Sequence, residues 1–222
     1  PHEFDGLGIP MEDSRAMYDE ALELVIKAWT NEKIQHQGKF WNVPQPTEVL
    51  PKPLQKPHPP IYQAAISPES FAAAGRSGTA LQLASPFSYR TYREDWIDKI
   101  AESIEIYEQA CIKHGHNPKE LERMMLLPFF THENGEEARR IARERIEWFY
   151  AKVTANQKSV GGQAEEIKGY EFTMRESLRT LNEGYLNFDR LYEHRAAIAD
   201  DPAACAEKLN NLRERLGITE FV

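Results

Sequence analysis

Two serines three positions apart, Ser67 and Ser70, close the run Ile61-Tyr62-Gln63-Ala64-Ala65-Ile66-Ser67-Pro68-Glu69-Ser70. Residues 61–66 are apolar apart from Gln63 and follow Pro59-Pro60, which is how a buried parallel strand reads. Ser67 stands where a helix N-cap belongs, with Pro68 at the first helical position and acidic Glu69 behind it. A helix start of this kind presents unpaired N–H groups and two hydroxyls beyond the end of a strand. That chemistry suits an anion, phosphate above all. The same four residues also read as no more than a well-capped helix. Of the two serines, Ser70 promises the cleaner test of an anion site, because removing Ser67 also removes a cap.

Arg15 is a second candidate. It falls near the start of a helix opened by Glu12 and Asp13, where a cation works against the helix dipole. Pairing with Glu12 or Asp19 is the plain alternative. His2, His36, His114, His116, His132 and His194 are acid–base candidates by type. His36 fits a hairpin position, His114 and His116 fit a helix end, and His194 falls in an irregular region.

The elements around these residues follow from periodicity. Residues 1–10 read as a loop, and Met17, Ala21, Leu24, Val25 and Ala28 recur at helical spacing after it. Residues 33–43 read as a hairpin turning at Gly38-Lys39. Seven prolines (44, 46, 51, 53, 57, 59, 60) make the next stretch an extended segment laid over the body. After the 68–77 helix come a strand at 80–85, a helix at 89–114 and a strand at 124–131. A helix from 136 to about 153 follows, with Ile141, Ile146, Phe149 and Val153 inward. Residues 163–196 have only weak periodicity. Asp201-Pro202 opens a last helix, lined by Cys205, Leu209, Leu212 and Leu216, and Ile218–Val222 begins another strand. Strands alternating with helices imply an α/β fold with a parallel sheet, either open or part of a (β/α)8 barrel. In both, ligands collect at the C-terminal strand ends, where Ser67 lies. No Gly-rich dinucleotide fingerprint or P-loop follows any strand.

With 222 residues and a formal net charge of −8, the chain suits one globular domain and offers no basic stretch for nucleic acid. Cys111 and Cys205, the two cysteines, form neither a metal-ligand spacing nor a disulfide framework, as expected of a reducing, cytoplasmic setting. No apolar run reaches membrane-spanning length. The chain begins at Pro1 without methionine and ends at Val222 inside an expected strand, so a piece of a longer protein is expected.

Taken in order, several segments resemble the bacterial luciferase-like, flavin-dependent monooxygenases. They are Glu3-Phe4, Gly8-Ile9-Pro10-Met11-Glu12-Asp13-Ser14-Arg15, the hairpin at Gly38-Lys39-Phe40-Trp41, the proline run and Ala64-Ala65-Ile66-Ser67-Pro68-Glu69-Ser70. The Asp201-Pro202 helix with Ile218-Thr219-Glu220-Phe221 behind it completes the set. The resemblance covers nearly the whole chain. It implies a (β/α)8 TIM barrel, here a partial barrel of about strands five to eight. Residues 1–222 would be one domain, and 155–200 a mobile insertion within it. Arg15, Ser67 and Ser70 would hold the phosphate of reduced FMN, with the backbone of Ala65 and Ile66 beside the flavin.

Two positions depart from the family pattern. Ile66 stands where the luciferase subunit has a glutamate, and Asp200 stands where a glycine is common. The implied activity is monooxygenation of a small organic substrate by O2, with FMN supplied by a flavin reductase. F420-dependent hydride transfer is one alternative, and a non-catalytic barrel subunit paired with an active partner is another. A homo- or heterodimer is expected, without nucleic acid, membrane or metal. The catalytic residues are expected in segments this chain lacks, so none is assigned. Alone, it is expected to be inactive and either unstable or oligomeric through open sheet edges.

Overall fold

The computed structural model describes residues 2–84, 96–158 and 187–222. These fall into two compact units that divide between Ile61 and Tyr62. Most of the expected insertion, residues 159–186, and the expected helix start at 89–95 lie outside the described residues.

The first unit contains α1 (His2–Leu7), α2 (Ser14–Thr30), β1 (Ile34–Gln37) and β2 (Asn42–Thr47). A helix therefore replaces part of the expected loop. It is too short to show periodicity, and the Ile9 N–H closes it on the Phe4 carbonyl at 2.9 Å. α2 buries none of its residues fully, and Val25, one of the apolar residues at helical spacing, is exposed. β1 and β2 pair antiparallel, as expected of the hairpin. Their turn folds onto one carboxylate: Glu20 accepts the N–H groups of Lys39 (3.0 Å), Phe40 (3.1 Å) and Trp41 (2.9 Å). The His36 ring lies 3.2 Å from the same group. Gly38 leaves room for this carboxylate, since a Cβ would stand 1.7 Å from Glu20 Oε1 and displace it. Burial alone would raise the Glu20 carboxyl, but Trp41 N–H, His36 and the Phe40 and Lys39 N–H groups hold it below the usual range. The proline segment is tied down by Lys52 Nζ, which donates to the last-turn carbonyls Ala28 (2.8 Å) and Asn31 (2.6 Å).

The second unit begins with β3 (Tyr62–Ala65), α3 (Pro68–Ser77), β4 (Ala80–Leu83), α4 (Trp96–Lys113), β5 (Arg123–Met125) and β6 (Phe129–Thr131). α5 (Gly135–Lys158), α6 (Phe188–Glu193), β7 (Ile198–Asp200), α7 (Pro202–Leu216) and β8 (Glu220–Phe221) complete it. β3, β4, β5 and β8 form one sheet in that order, and every pair is parallel. The expected parallel α/β sheet is therefore present. Its core contains Phe71, Leu81 and Met125, covered by the α4 stripe Trp96, Ile100, Ile104, Tyr107 and Cys111. α3 and α4 approach closely at Gly75, where a Cβ would lie 2.4 Å from the Tyr107 carbonyl oxygen. Gly78 (φ +66°) and Gly217 (φ +64°) end α3 and α7 in the left-handed conformation.

Three expectations need correction. The single strand 124–131 is two strands, β5 and β6. Leu126 and Leu127 still donate to the Leu83 and Val222 carbonyls at 3.0 and 2.9 Å, but Pro128 has no N–H, and pairing then passes to β7. β7 itself was not expected, because its three residues are all buried and show no alternation. The inward stripe of α5 is Ala138, Ala142, Ile146 and Tyr150, while Phe149 faces outward. Small alanines carry that contact, so counting large apolar residues misplaced the stripe. Among the described residues, no helix is long and apolar enough to cross a membrane.

Candidate functional site

Ala65 ends β3 fully buried, and half-buried Ile66 packs against the main core. Ser67 follows in extended backbone (φ −99°, ψ 155°) and caps α3, as expected. Its neighbours leave it only 4% exposed. Ser70, at the third helical position, completes a reciprocal capping box. Ser70 Oγ accepts the N–H groups of Ile66 and Ser67, both at 2.9 Å. It donates its own proton to the Ser67 carbonyl at 2.7 Å. A hydroxyl has one proton and two lone pairs, so Ser70 is fully used.

Ser67 differs. Its Oγ accepts the Ser70 N–H at 3.3 Å, and among the described residues its proton has the long contact to Ser70 Oγ, at 3.5 Å. The Ser67 proton is thus the hydroxyl donor best able to turn to a stronger acceptor. Pro68 has no N–H, and the Phe71 N–H goes to the Ser67 carbonyl at 3.1 Å. Glu69 N–H is the first-turn donor to which the cap offers no acceptor. The structure therefore brings Ala65, Ile66, Ser67 and Ser70 together and divides their labour. Arg15 lies in the other unit, exposed, in the first turn of α2.

The strand-starting edge of the sheet carries structural ties. Tyr62 donates to Glu122, which together with burial pushes the phenol up to about 12. Arg123 pairs with Glu108 and donates to the Leu216 carbonyl at 3.2 Å. The His114 and His116 side chains sit in comparable roles. His116 meets the Arg76 carbonyl at 3.1 Å, and His114 meets the Ala110 carbonyl at 2.8 Å. The His194 carbonyl receives the Trp96 indole N–H. Among the described residues, no three His, Cys, Asp or Glu side chains cluster as a metal site.

Sequence reasoning missed a second polar centre, at the end of β7. The side chain of buried Asp200, 11% exposed, meets Arg139 (2.9 Å), Tyr192 (2.7 Å) and Lys208 (2.8 Å). Burial alone would raise this carboxyl, but Lys208, the Tyr192 hydroxyl and the Asp201 N–H bring it down to about 2. The one signal in the sequence was Asp200 itself, standing at a position where the resembling family commonly has glycine.

The fold recurs in solved structures. The monooxygenase RslO1 from Streptomyces bottropensis superposes with TM-score 0.69 at 25% identity, over 100% of this chain and 57% of that one. The FMN-bound oxygenating constituent of 3,6-diketocamphane monooxygenase from Pseudomonas putida gives TM-score 0.63 at 20% identity, over 93% and 55%. In sequence, the chain is 27% identical to the oxygenase component of flavin-dependent trigonelline monooxygenase from Acinetobacter baylyi, over 73% of this chain and 45% of that protein. The chain thus spans about half the length of each of these relatives. The family model for luciferase-like monooxygenases matches residues 1–220. A parallel α/β sheet, a capped helix at its C-terminal edge and a match along almost every residue converge: this chain belongs to the luciferase-like monooxygenase family.

Proposed function

We propose that this chain forms the cofactor-phosphate side of a monooxygenase that uses reduced FMN and O2 on a small organic substrate. In this reading, β3, β4, β5 and β8 are consecutive strands, about five to eight, of a (β/α)8 barrel within one domain. The observation that carries it is the start of α3 at the C-terminal edge of a parallel sheet, where Ser67 keeps a hydroxyl proton to donate. The residues present fit a phosphate. Ser67 Oγ and Glu69 N–H would donate to it, the dipole of α3 favours its charge, and Ser70 holds the turn in place. Arg15 is proposed as a phosphate ligand on the family resemblance alone. Ile66 supplies packing and its N–H supports Ser70, so no side-chain contact comes from that position.

Bound reduced FMN would supply the electrons for O2 activation, while the protein orients it and excludes water. A flavin reductase is the proposed partner, since the trigonelline relative is an oxygenase component. A homo- or heterodimer is the proposed working form. The test is to titrate the intact protein with reduced FMN and then admit O2 with a reductase present. Binding followed by O2-dependent turnover supports the reading. Turnover with reduced F420 and no O2 would replace it with hydride transfer, and absence of flavin binding would leave a non-catalytic barrel subunit.

A further inference from the structure

Four elements meet at Asp200. Arg139 comes from α5, Tyr192 from α6 and Lys208 from α7, and Asp200 itself ends β7. Arg139 and Lys208 each also donate to the Tyr192 hydroxyl at 3.2 Å. Both cations lie over the Tyr192 ring, at 5.4 and 4.3 Å from its centroid. The phenol donates to one carboxylate oxygen and accepts from two cations, so its hydrogen bonding is complete. Gly135 makes room for the arrangement, since a Cβ there would stand 2.3 Å from Asp200 Oδ1.

α6 has six residues, too few to persist as an isolated helix. Apolar contacts of Phe188 with Ala142 and of Leu191 with Tyr150, the bidentate Arg143–Asp189 ion pair and the Phe188 N–H on Glu147 (3.3 Å) hold it against α5. The tie to α7 is polar: the buried Asp200 group and an exposed Arg195–Asn211 hydrogen bond of 3.1 Å. β6 begins after Leu126 and Leu127 have bonded to Leu83, the last residue of β4, and Val222, the residue just past β8. β7 runs parallel to β6, so Asp200 lies beyond the C-terminal edge of the sheet, the edge from which Ser67 also leaves.

We propose that Asp200 is the pin of an ionic clasp whose opening frees α6 from α7 and loosens it locally on α5, while the sheet stays folded. With both carboxylate oxygens engaged, Asp200 is not placed to act as an acid or base. The clasp stands apart from the flavin reading, and only its position at the rim of the ligand site rests on that reading.

Amide hydrogen exchange on the intact protein tests the clasp. Asp200→Asn keeps the shape and removes the charge. It should speed exchange at 188–193 by about tenfold to a hundredfold, with 62–65 unchanged. Lys208→Met should do the same, and the double variant should add little more, because both break one network. Tyr192→Phe keeps all three charges and should give a smaller, parallel effect, which keeps the test open if Asp200→Asn does not fold. Equal acceleration at 62–65 and 188–193 would make the network ordinary global stabilisation and overturn the proposal. No change at 188–193 would overturn it as well. FMN titration of the same variants separates the two claims. Unchanged FMN affinity is expected, and loss of FMN binding together with faster exchange confined to 188–193 would overturn the clasp's independence from the flavin site. Failure of the wild type to bind FMN would count against the flavin reading alone.

Discussion

Ser70 Oγ accepts the Ser67 N–H at 2.9 Å while Ser67 Oγ accepts the Ser70 N–H at 3.3 Å, so each serine caps the other. The pair is not symmetric, because Ser70 also accepts the Ile66 N–H and donates to the Ser67 carbonyl. Ser70→Ala therefore strands two half-buried N–H groups, at about 1–3 kcal/mol, against about 1 kcal/mol for the cap lost in Ser67→Ala. Denaturant melts of the two variants should place Ser70→Ala lower. The reverse order would mean that Ser67 is the structural serine.

Ligand affinity should follow the opposite order in kind. Ser67→Ala should weaken FMN by about fivefold to tenfold and leave riboflavin, which has no phosphate, nearly unchanged. Arg15→Ala should cost FMN about tenfold to a hundredfold, as expected for a charge-assisted contact. Equal losses for FMN and riboflavin in a parallel titration would remove either residue from the phosphate site.

Asp200 gives stability an acid limb. Its folded carboxyl is depressed to about 2, although burial alone would raise it, while an unfolded aspartate titrates near 3.9. The contribution is full above about pH 4 and is lost as pH falls toward 2, with a size on the order of 2 kcal/mol. Melts of wild type and Asp200→Asn between pH 6 and about 2 should converge as the pH drops. Parallel curves would show that Asp200 does not titrate with the fold.

Gly75→Ala tests the helix contact. An alanine is ordinarily better than glycine inside a helix, by about 1 kcal/mol. Here its methyl would enter a 2.4 Å gap to the backbone carbonyl of Tyr107, with Ala110 Cβ at 2.7 Å. Overpacking of about 1–3 kcal/mol should outweigh the propensity gain and lower the melting temperature. A stabilised variant would show that α3 and α4 can separate without loss.

Sequence alone determined the features set by local chemistry and short-range periodicity. The Ser67-Pro68 and Asp201-Pro202 caps could be read residue by residue, because a cap depends on side chains within three positions of the N–H groups it serves. The Trp96, Ile100, Ile104, Tyr107, Cys111 stripe was legible because large apolar residues recur once per turn. Parallel strands followed from their alternation with helices. Tertiary structure decided what depends on distant partners. The 124–131 run changed sheets because β7, about seventy residues later, offered a new edge where Pro128 could not donate. The folded turn gave Ser70 Oγ three hydrogen-bond partners, filling the one proton and two lone pairs of a hydroxyl. Asp200 looked only like an unusual substitution for glycine. Its role as the meeting point of Arg139, Tyr192 and Lys208 arises where four elements converge, and no local pattern in the chain encodes that convergence.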